Sequence, residues 1–190
     1  MKDRLLNIIS KYLEIFPNEK GRQKKLIEYL NTHEEDELND CNNFDGHITA
    51  GGLIYTLEEK KFLVLHHKDL DMFLYPGGHS EKEDKNTLET AKREVKEETG
   101  LENLTQLKIT DDELVPIDID THLIPYNQKR NLPEHYHFDF RYMFILDEKV
   151  DIKIDDNESS EYKWISMDDL RNDKNYGRIS LKIESILNKN

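Results

Sequence analysis

The sequence predicts a layered α/β or α+β domain that follows a short helical extension. Three observations carry that reading. Apolar residues recur at helical spacing in the first thirty positions. From His47 onward, short aliphatic and aromatic runs alternate with turn residues. Among those runs lies a longer segment, Thr87 to Thr99, with a helical pattern. Interleaved strands and helices bury their apolar faces by stacking in layers.

The elements follow in order. Leu5, Leu6, Ile8, Ile9, Tyr12 and Leu13 form the apolar stripe of a first helix. Pro17 and Asn18 interrupt it, and Asn18 is a candidate cap for a second helix carrying Leu26, Ile27 and Leu30 on one face. Residues 34–45 are acidic and polar and read as a connector. Residues 1–45 therefore form a helical extension with an acidic linker, and 46–190 form the main domain. Ile48–Leu57 and Lys61–His66 read as strands around a polar turn at Glu58-Glu59-Lys60. Asp71–Tyr75 is a short third strand, stopped by Pro76-Gly77-Gly78. Thr87–Thr99 is a helix with Leu88, Ala91 and Val95 on its apolar face and Gly100 as its C-terminal cap. Val115–Ile124, His135–Leu146 and Glu161–Ile165 read as further strands. Helical segments near Met167–Arg171 and Ile179–Leu187 finish the chain.

Composition narrows the function. A core of about 150 residues buries roughly 70% of its unfolded surface and needs no staples. Cys41 is the single cysteine, so no internal disulfide forms. No basic residue stands beside it in the sequence to activate it. The formal net charge of −13 is a poor match for nucleic acid or an anionic membrane. No apolar run approaches the roughly 20 residues that span a bilayer. The start, Met-Lys-Asp-Arg, lacks the apolar core of a signal peptide. A cytoplasmic location is expected.

The chemistry gathers in Gly77 to Leu101. On a helix, Glu94, Glu97 and Glu98 stand at i, i+3 and i+4 and share a face. Arg93, four residues before Glu97, can hold that carboxylate in place. Crowded carboxylates repel unless a cation lies between them, and hard divalent cations prefer oxygen ligands. A charge run of this kind is ordinarily a solvated face. Here a glycine turn precedes it, and backbone at glycine can approach an ion or phosphate closely. Further along, His135, His137, Asp139 and Arg141 alternate with Tyr136, Phe138, Phe140 and Tyr142, giving a polar and an aromatic face on one strand.

Gly78 to Leu101 resembles the Nudix box, which runs glycine, five residues, glutamate, seven residues, then Arg-Glu-aliphatic-any-Glu-Glu-any-Gly-aliphatic. Arg93 to Leu101 matches throughout the second half. The first half is one residue longer. Asp84 stands at the first acidic position counted from Gly78, and Lys85 stands there counted back from Arg93. Gly46-His47-Ile48-Thr49-Ala50, Tyr75-Pro76-Gly77-Gly78-His79 and Glu134-His135-Tyr136-His137-Phe138-Asp139 extend the likeness to a bacterial branch of Nudix hydrolases with a helical N-terminal extension. The resemblance implies an α/β/α sandwich with a mixed sheet. It implies hydrolysis of a pyrophosphate bond in a nucleoside diphosphate linked to another moiety, with Mg²⁺ or Mn²⁺. It makes Glu94, Glu97, Glu98 and the Gly78 carbonyl the metal ligands, with Arg93 orienting them. Glu98, Asp84 and Glu161 are the candidates for general base, and Glu161 is also a candidate ligand. From the alternation itself, the polar face of His135, His137, Asp139 and Arg141 is expected to point into the substrate cavity, with Arg141 on phosphate and the histidines on base or metal, and His79 touching the same ligand.

Two other readings compete. One is a Nudix domain that senses a nucleotide or nucleotide-sugar without turnover, against which the intact glutamate triad argues. The other is a Nudix-fold isoprenoid diphosphate isomerase, which would use a catalytic cysteine, whereas Cys41 lies in the linker. Residues 102–134 carry no motif that names a base. The N-terminal hairpin is a candidate homodimer contact.

Overall fold

The computed structural model describes residues 1–128, 131–148, 150–174 and 176–188. The two residues at 129–130, within the motif-poor stretch 102–134, and the last two of the 46–190 segment lie outside the described residues. Helices α1 (Lys2–Ile15) and α2 (Lys24–Thr32) come first. Strands β1 (His47–Thr56), β2 (Lys61–His67), β3 (Met72–Leu74) and β4 (Gly77–His79) lead into helix α3 (Thr87–Thr99). Strands β5 (Thr105–Gln106), β6 (Asp118–Ile124), β7 (His135–Leu146) and β8 (Ser159–Ser166) follow. Helices α4 (Met167–Asn172) and α5 (Gly177–Leu187) end the chain.

Among the described residues, the eight strands join one mixed sheet, with β3-β2-β1-β7-β5 along its main path. β1 runs parallel to β7, in register from His47 opposite His137 to Thr56 opposite Leu146. Its other edge is shared: β4 pairs with Thr49–Gly51, and β2 pairs only with Tyr55 and Thr56. β6 lies antiparallel to β7, and β8 antiparallel to β2.

Period-two alternation gives the sheet two covered faces. Ile48, Ala50, Ile54, Phe138, Phe140 and Tyr142 pack with Leu88, Ala91 and Val95 of α3. The same core takes Leu5, Ile8, Ile9 and Tyr12 of α1 and Leu26, Tyr29 and Leu30 of α2. The opposite face carries Leu53, Tyr55, Phe62 and Met143, covered by Leu170, Ile179 and Ile183 of α4 and α5. Layers on both faces of a mixed sheet are the architecture the sequence predicts. Among the described residues, no helix is long and apolar enough to cross a membrane.

Several local expectations are corrected. Asn18 caps no second helix: Pro17–Glu19 form a 3₁₀ turn, and α2 begins after Gln23, whose buried amide donates to Ile119 O at 2.9 Å. The connector at 34–45 is tied down by Leu38, which is fully buried and whose carbonyl accepts from Ile48 N. Asp71 sits outside the third strand at φ 50, a left-handed turn position. Pro76-Gly77-Gly78 does not end strand pairing, because Gly77–His79 form β4. Glycine is required there, since a Cβ on Gly77 would lie 2.7 Å from Gly51 Cα. The strand expected from Val115 begins at Asp118; Val115 and Ile117 are buried in the preceding loop.

Because α1 and α2 share the main core, their unfolding should be coupled to that of the sheet. Ile8→Ala or Leu26→Ala is expected to lower stability by about 2–5 kcal/mol. Urea denaturation followed by fluorescence and circular dichroism should show one common transition. A separate early transition confined to helix content would contradict the shared core.

Candidate active site

α3 is built to hold its start and end firmly. Asn86 caps its N-terminus by accepting from Glu89 N at 3.0 Å. Gly100 ends it in the left-handed region, at φ 71. Between these caps Leu88, Ala91 and Val95 face the core, which turns Arg93, Glu94, Glu97 and Glu98 toward β4 and the loop before the helix.

Arg93 ties this region together. Its Nη1 donates to Glu94 and to Glu97, each at 2.9 Å. Its Nη2 donates to His79 O at 2.8 Å and to Asp84 at 3.0 Å, and its Nε donates to Asp84 at 3.2 Å. Glu98 is buried, and its Oε1 accepts from Gly77 N at 2.7 Å. Glu97 is exposed, its side chain retaining 57% of its accessible area. A Cβ on Gly78 would stand 2.6–2.7 Å from the Glu94 carboxylate, so that group rests directly against glycine backbone.

Burial pushes the Glu98 carboxyl up to about 8, helped by the charges of Glu94, Glu158 and Asp155 and opposed by the Gly77 N–H. Burial likewise pushes Glu94 up to about 7, although the Arg93 guanidinium works against it. Asp84 behaves oppositely. Burial raises it, but donors from Arg93, Glu81 N and Thr90 outweigh that and hold it below the usual carboxylate range. Two buried carboxyls that keep their protons near neutrality lack enough positive charge around them.

These distances sort the residues picked from the sequence. Arg93, Glu94, Glu97, Glu98 and Gly78 come together. Asp84 joins them as an anchor for Arg93, with its oxygens already engaged, which makes it a weak base. Glu161 does not join: it is exposed on β8 and is not among the charges acting on Glu94 or Glu98. Glu158, three residues earlier, acts on both, and Asp155 acts on Glu98. The chain reaches them because Lys153 N and Asp155 N hydrogen-bond to Thr99 O and Glu98 O at the end of α3. An acidic run, Asp155-Asp156-Asn157-Glu158, was the available sequence signal.

The polar face of β7 lies on the other side of the sheet from α3 and divides in two. His135 and His137 gather with His79 and His47. Asp139 and Arg141 enter a buried ionic cluster. Arg141 Nε meets Asp139 and the Tyr75 hydroxyl at 2.9 and 2.8 Å, and its Nη1 and Nη2 meet Asp118 and Asp120 at 3.2 and 2.9 Å. Its guanidinium is thus committed to protein carboxylates, and the expected phosphate contact is corrected. Cys41 is exposed in the connector.

The NUDIX domain family model matches residues 46–183. A protein of Lactococcus lactis subsp. cremoris described as "Probable DHNTP pyrophosphohydrolase" is 33% identical over 145 residues, 75% of this chain and 80% of its own. The fold is similar to that of a C. elegans Ap4A hydrolase binary complex, at TM-score 0.58 and 20% identity, covering 75% of this chain and 98% of that one. It is also similar to the E. coli dihydroneopterin triphosphate pyrophosphohydrolase, at TM-score 0.55 and 18% identity, covering 70% and 91%.

The raised carboxyls set a pH dependence. A carboxyl whose folded pKa lies above its unfolded one stabilises the fold below the unfolded value and loses that contribution as pH rises through the folded value. Above the ordinary histidine range, Glu94 and Glu98, at about 7 and about 8, are the groups in this cluster still losing protons. With chelator present, the melting temperature should therefore fall between about pH 6.5 and pH 8.5, and Glu98→Gln should flatten the slope. An equal slope in Glu98→Gln would remove Glu98 as its source.

Proposed function

The chain belongs to the NUDIX domain family, and from that premise we propose that it is a metal-dependent pyrophosphohydrolase acting on a nucleoside diphosphate linked to another moiety. The observation that carries the reading is the seating of Glu98 on Gly77 and of Glu94 against Gly78 of β4, with Arg93 linking Glu94 and Glu97 to the loop. The donors fit a hard divalent ion. They are all oxygen, Arg93 ties Glu94 and Glu97 to one another, and Glu94 and Glu98 hold protons for want of positive charge. Glycine at position 78 leaves the space beside Glu94 that a side chain would fill. Glu94, Glu97, Glu98 and the Gly78 carbonyl would hold Mg²⁺ or Mn²⁺.

When bound, such an ion supplies charge neutralisation for the diphosphate and acidifies water for attack at phosphorus. The chain's own residues do the positioning. Asp84 fixes Arg93, and Arg93 fixes Glu94 and Glu97. With an ion bound Glu98 would be ionised, and the Gly77 N–H that fixes one of its oxygens would leave the other to accept a proton from water. Glu158, whose charge acts on both Glu94 and Glu98, takes the supporting place for which Glu161 was a candidate. His79, directly after Gly78, and His135 and His137 form the substrate side. With Arg141 enclosed, Asp139 and Arg141 act by holding β6, β7 and Tyr75 in place.

The substrate panel should include nucleoside triphosphates, ADP-ribose, sugar nucleotides and Ap4A. Dihydroneopterin triphosphate belongs in it because two similar proteins carry that activity in their names. Phosphate release after phosphatase coupling is expected only with Mg²⁺ or Mn²⁺ present. Glu97→Gln and Glu98→Gln should each lower kcat by about 10²–10⁴-fold with the fold intact. Wild-type turnover by the double variant would overturn the assignment.

A further inference from the structure

Five histidine rings meet on the sheet face opposite α3. The strand register brings them there. His47 of β1 stands opposite His137 of β7, and His122 of β6 stands opposite the same residue. His79 of β4 pairs with Thr49, two residues along β1 from His47, so both rings project from one face. His135 is two residues before His137 on β7. Ring centroids of His47 lie 4.6 Å from His79 and 4.8 Å from His137, and those of His79 and His137 are 5.2 Å apart.

His47 is the telling member. It is only 1% exposed, and its Nδ1 faces the Asn43 carbonyl oxygen at 3.4 Å. Its Nε2 is buried and has no hydrogen-bond partner. A buried polar atom without a partner costs folding free energy, so this nitrogen is open to a water or an ion. A ring that gives one N–H to a backbone carbonyl presents the other nitrogen as a lone pair, which is how ligating histidines are ordinarily oriented. His135 is held in the same fashion, with Nδ1 on Pro133 O at 2.8 Å and Nε2 facing His137 Nε2 at 3.3 Å.

We propose that His47, His79 and His137 form a binding site for a divalent transition-metal ion of the Zn²⁺ class, on the other face of the sheet from the glutamate cluster. One ring nitrogen from each lies within 4.8 Å of the other two. Ligands of a tetrahedral zinc ion stand about 3.3 Å apart, so small ring rotations close the trio. Imidazole nitrogen suits Zn²⁺ and its neighbours, whereas the carboxylate cluster suits Mg²⁺ and Mn²⁺. Burial and the proximity of the other imidazoles lower His47 to about 4 and His137 to about 2, so both are neutral and able to ligate at neutral pH. Three protein ligands leave a fourth position for water or an anionic oxygen of a bound molecule. Asp139 is not among the ligands, because Thr49, Tyr75 and Arg141 already hold its oxygens.

The proposal stands independently of the activity assigned to the glutamate cluster, and its test needs no substrate. The full chain is freed of metal and titrated with Zn²⁺ against a chromophoric chelator, and with Co²⁺ while visible absorption is recorded. A single equivalent with the intense bands of nitrogen-ligated tetrahedral Co²⁺ is expected. Glu97→Gln and Glu98→Gln should keep it. His79→Ala and His137→Ala should each weaken Zn²⁺ by more than about tenfold and abolish the bands. His79 is exposed, so its variant is the decisive one should buried substitutions disturb folding; circular dichroism checks each. Absence of those bands in the unaltered protein overturns the proposal, as does their survival in folded His79→Ala.

Discussion

The parallel pairing of β1 with β7 is the constraint on which the rest of the structure depends. It runs the full length of β1. Its alternation sends Ile48, Ala50, Phe138 and Phe140 to the α3 side and His47, Thr49, His137 and Asp139 to the other. A shift of one residue would exchange the core with the polar face. Two glycines let neighbours come close. A Cβ on Gly52 would meet Val95 and Phe144 at 2.6 Å, so its absence lets α3 seat on β1. A Cβ on Gly51 would meet Tyr75 at 2.5 Å and Pro76 O at 2.7 Å, so its absence lets the chain before β4 lie on the strand. The carboxylates of α3 reach Gly77 and Gly78 because both elements are drawn to the same strand.

The ionic cluster around Arg141 fixes what lies beyond that pair. Asp118 and Asp120 come from β6, Asp139 and Arg141 from β7, Lys182 and Arg178 from α5, and Arg22 from the turn before α2. Burial works against ionised Asp118, yet Arg141, Lys182 and Arg22 hold its carboxyl below the usual range. Taking so many charges out of water is costly, and their attraction offsets that cost only while every partner is present. The cluster is therefore better understood as a specifier of position than as a source of stability. It joins the N-terminal extension and the last helix to the centre of the sheet. Tyr12 belongs to it as well, because its hydroxyl meets Asp118 and accepts from Lys182.

Much of this was legible in the sequence, and the gaps have physical causes. Thr87–Thr99 was readable because its caps, apolar stripe and carboxylate face all agree. The two faces of β7 were readable from strict alternation. β4 was not, since two glycines in three residues carry no strand propensity, and its pairing comes from the close approach of Gly77 to Gly51. Arg141 was placed on the correct face but with the wrong partners, because alternation gives direction and not the company that β6 supplies through its register. Glu158 was missed for a similar reason. What brings it to Glu98 is the return of 153–155 along the end of α3, a contact between segments more than fifty residues apart. His47 stands just before the strand expected from Ile48 and carried no assigned role; the convergence of three strands makes it a neighbour of His79 and His137.

The two protonation patterns share one electrostatic logic. On the α3 side, buried carboxyls are pushed toward their neutral, protonated form. On the other side, buried imidazoles are pushed toward their neutral, deprotonated form. In both cases the chain alone avoids burying a net charge. A cation reverses the first preference by restoring charge to oxygen donors, and it suits the second by using the lone pair that deprotonation leaves. As proposed, the two sites would differ in the ion they select and not in how binding relates to folding. β4 joins them through a single peptide, because Gly78 abuts the carboxylate of Glu94 and His79 enters the imidazole group. A strand only three residues long thus sets the spacing between the two chemistries, and glycine at 77 and 78 is what allows it to lie there.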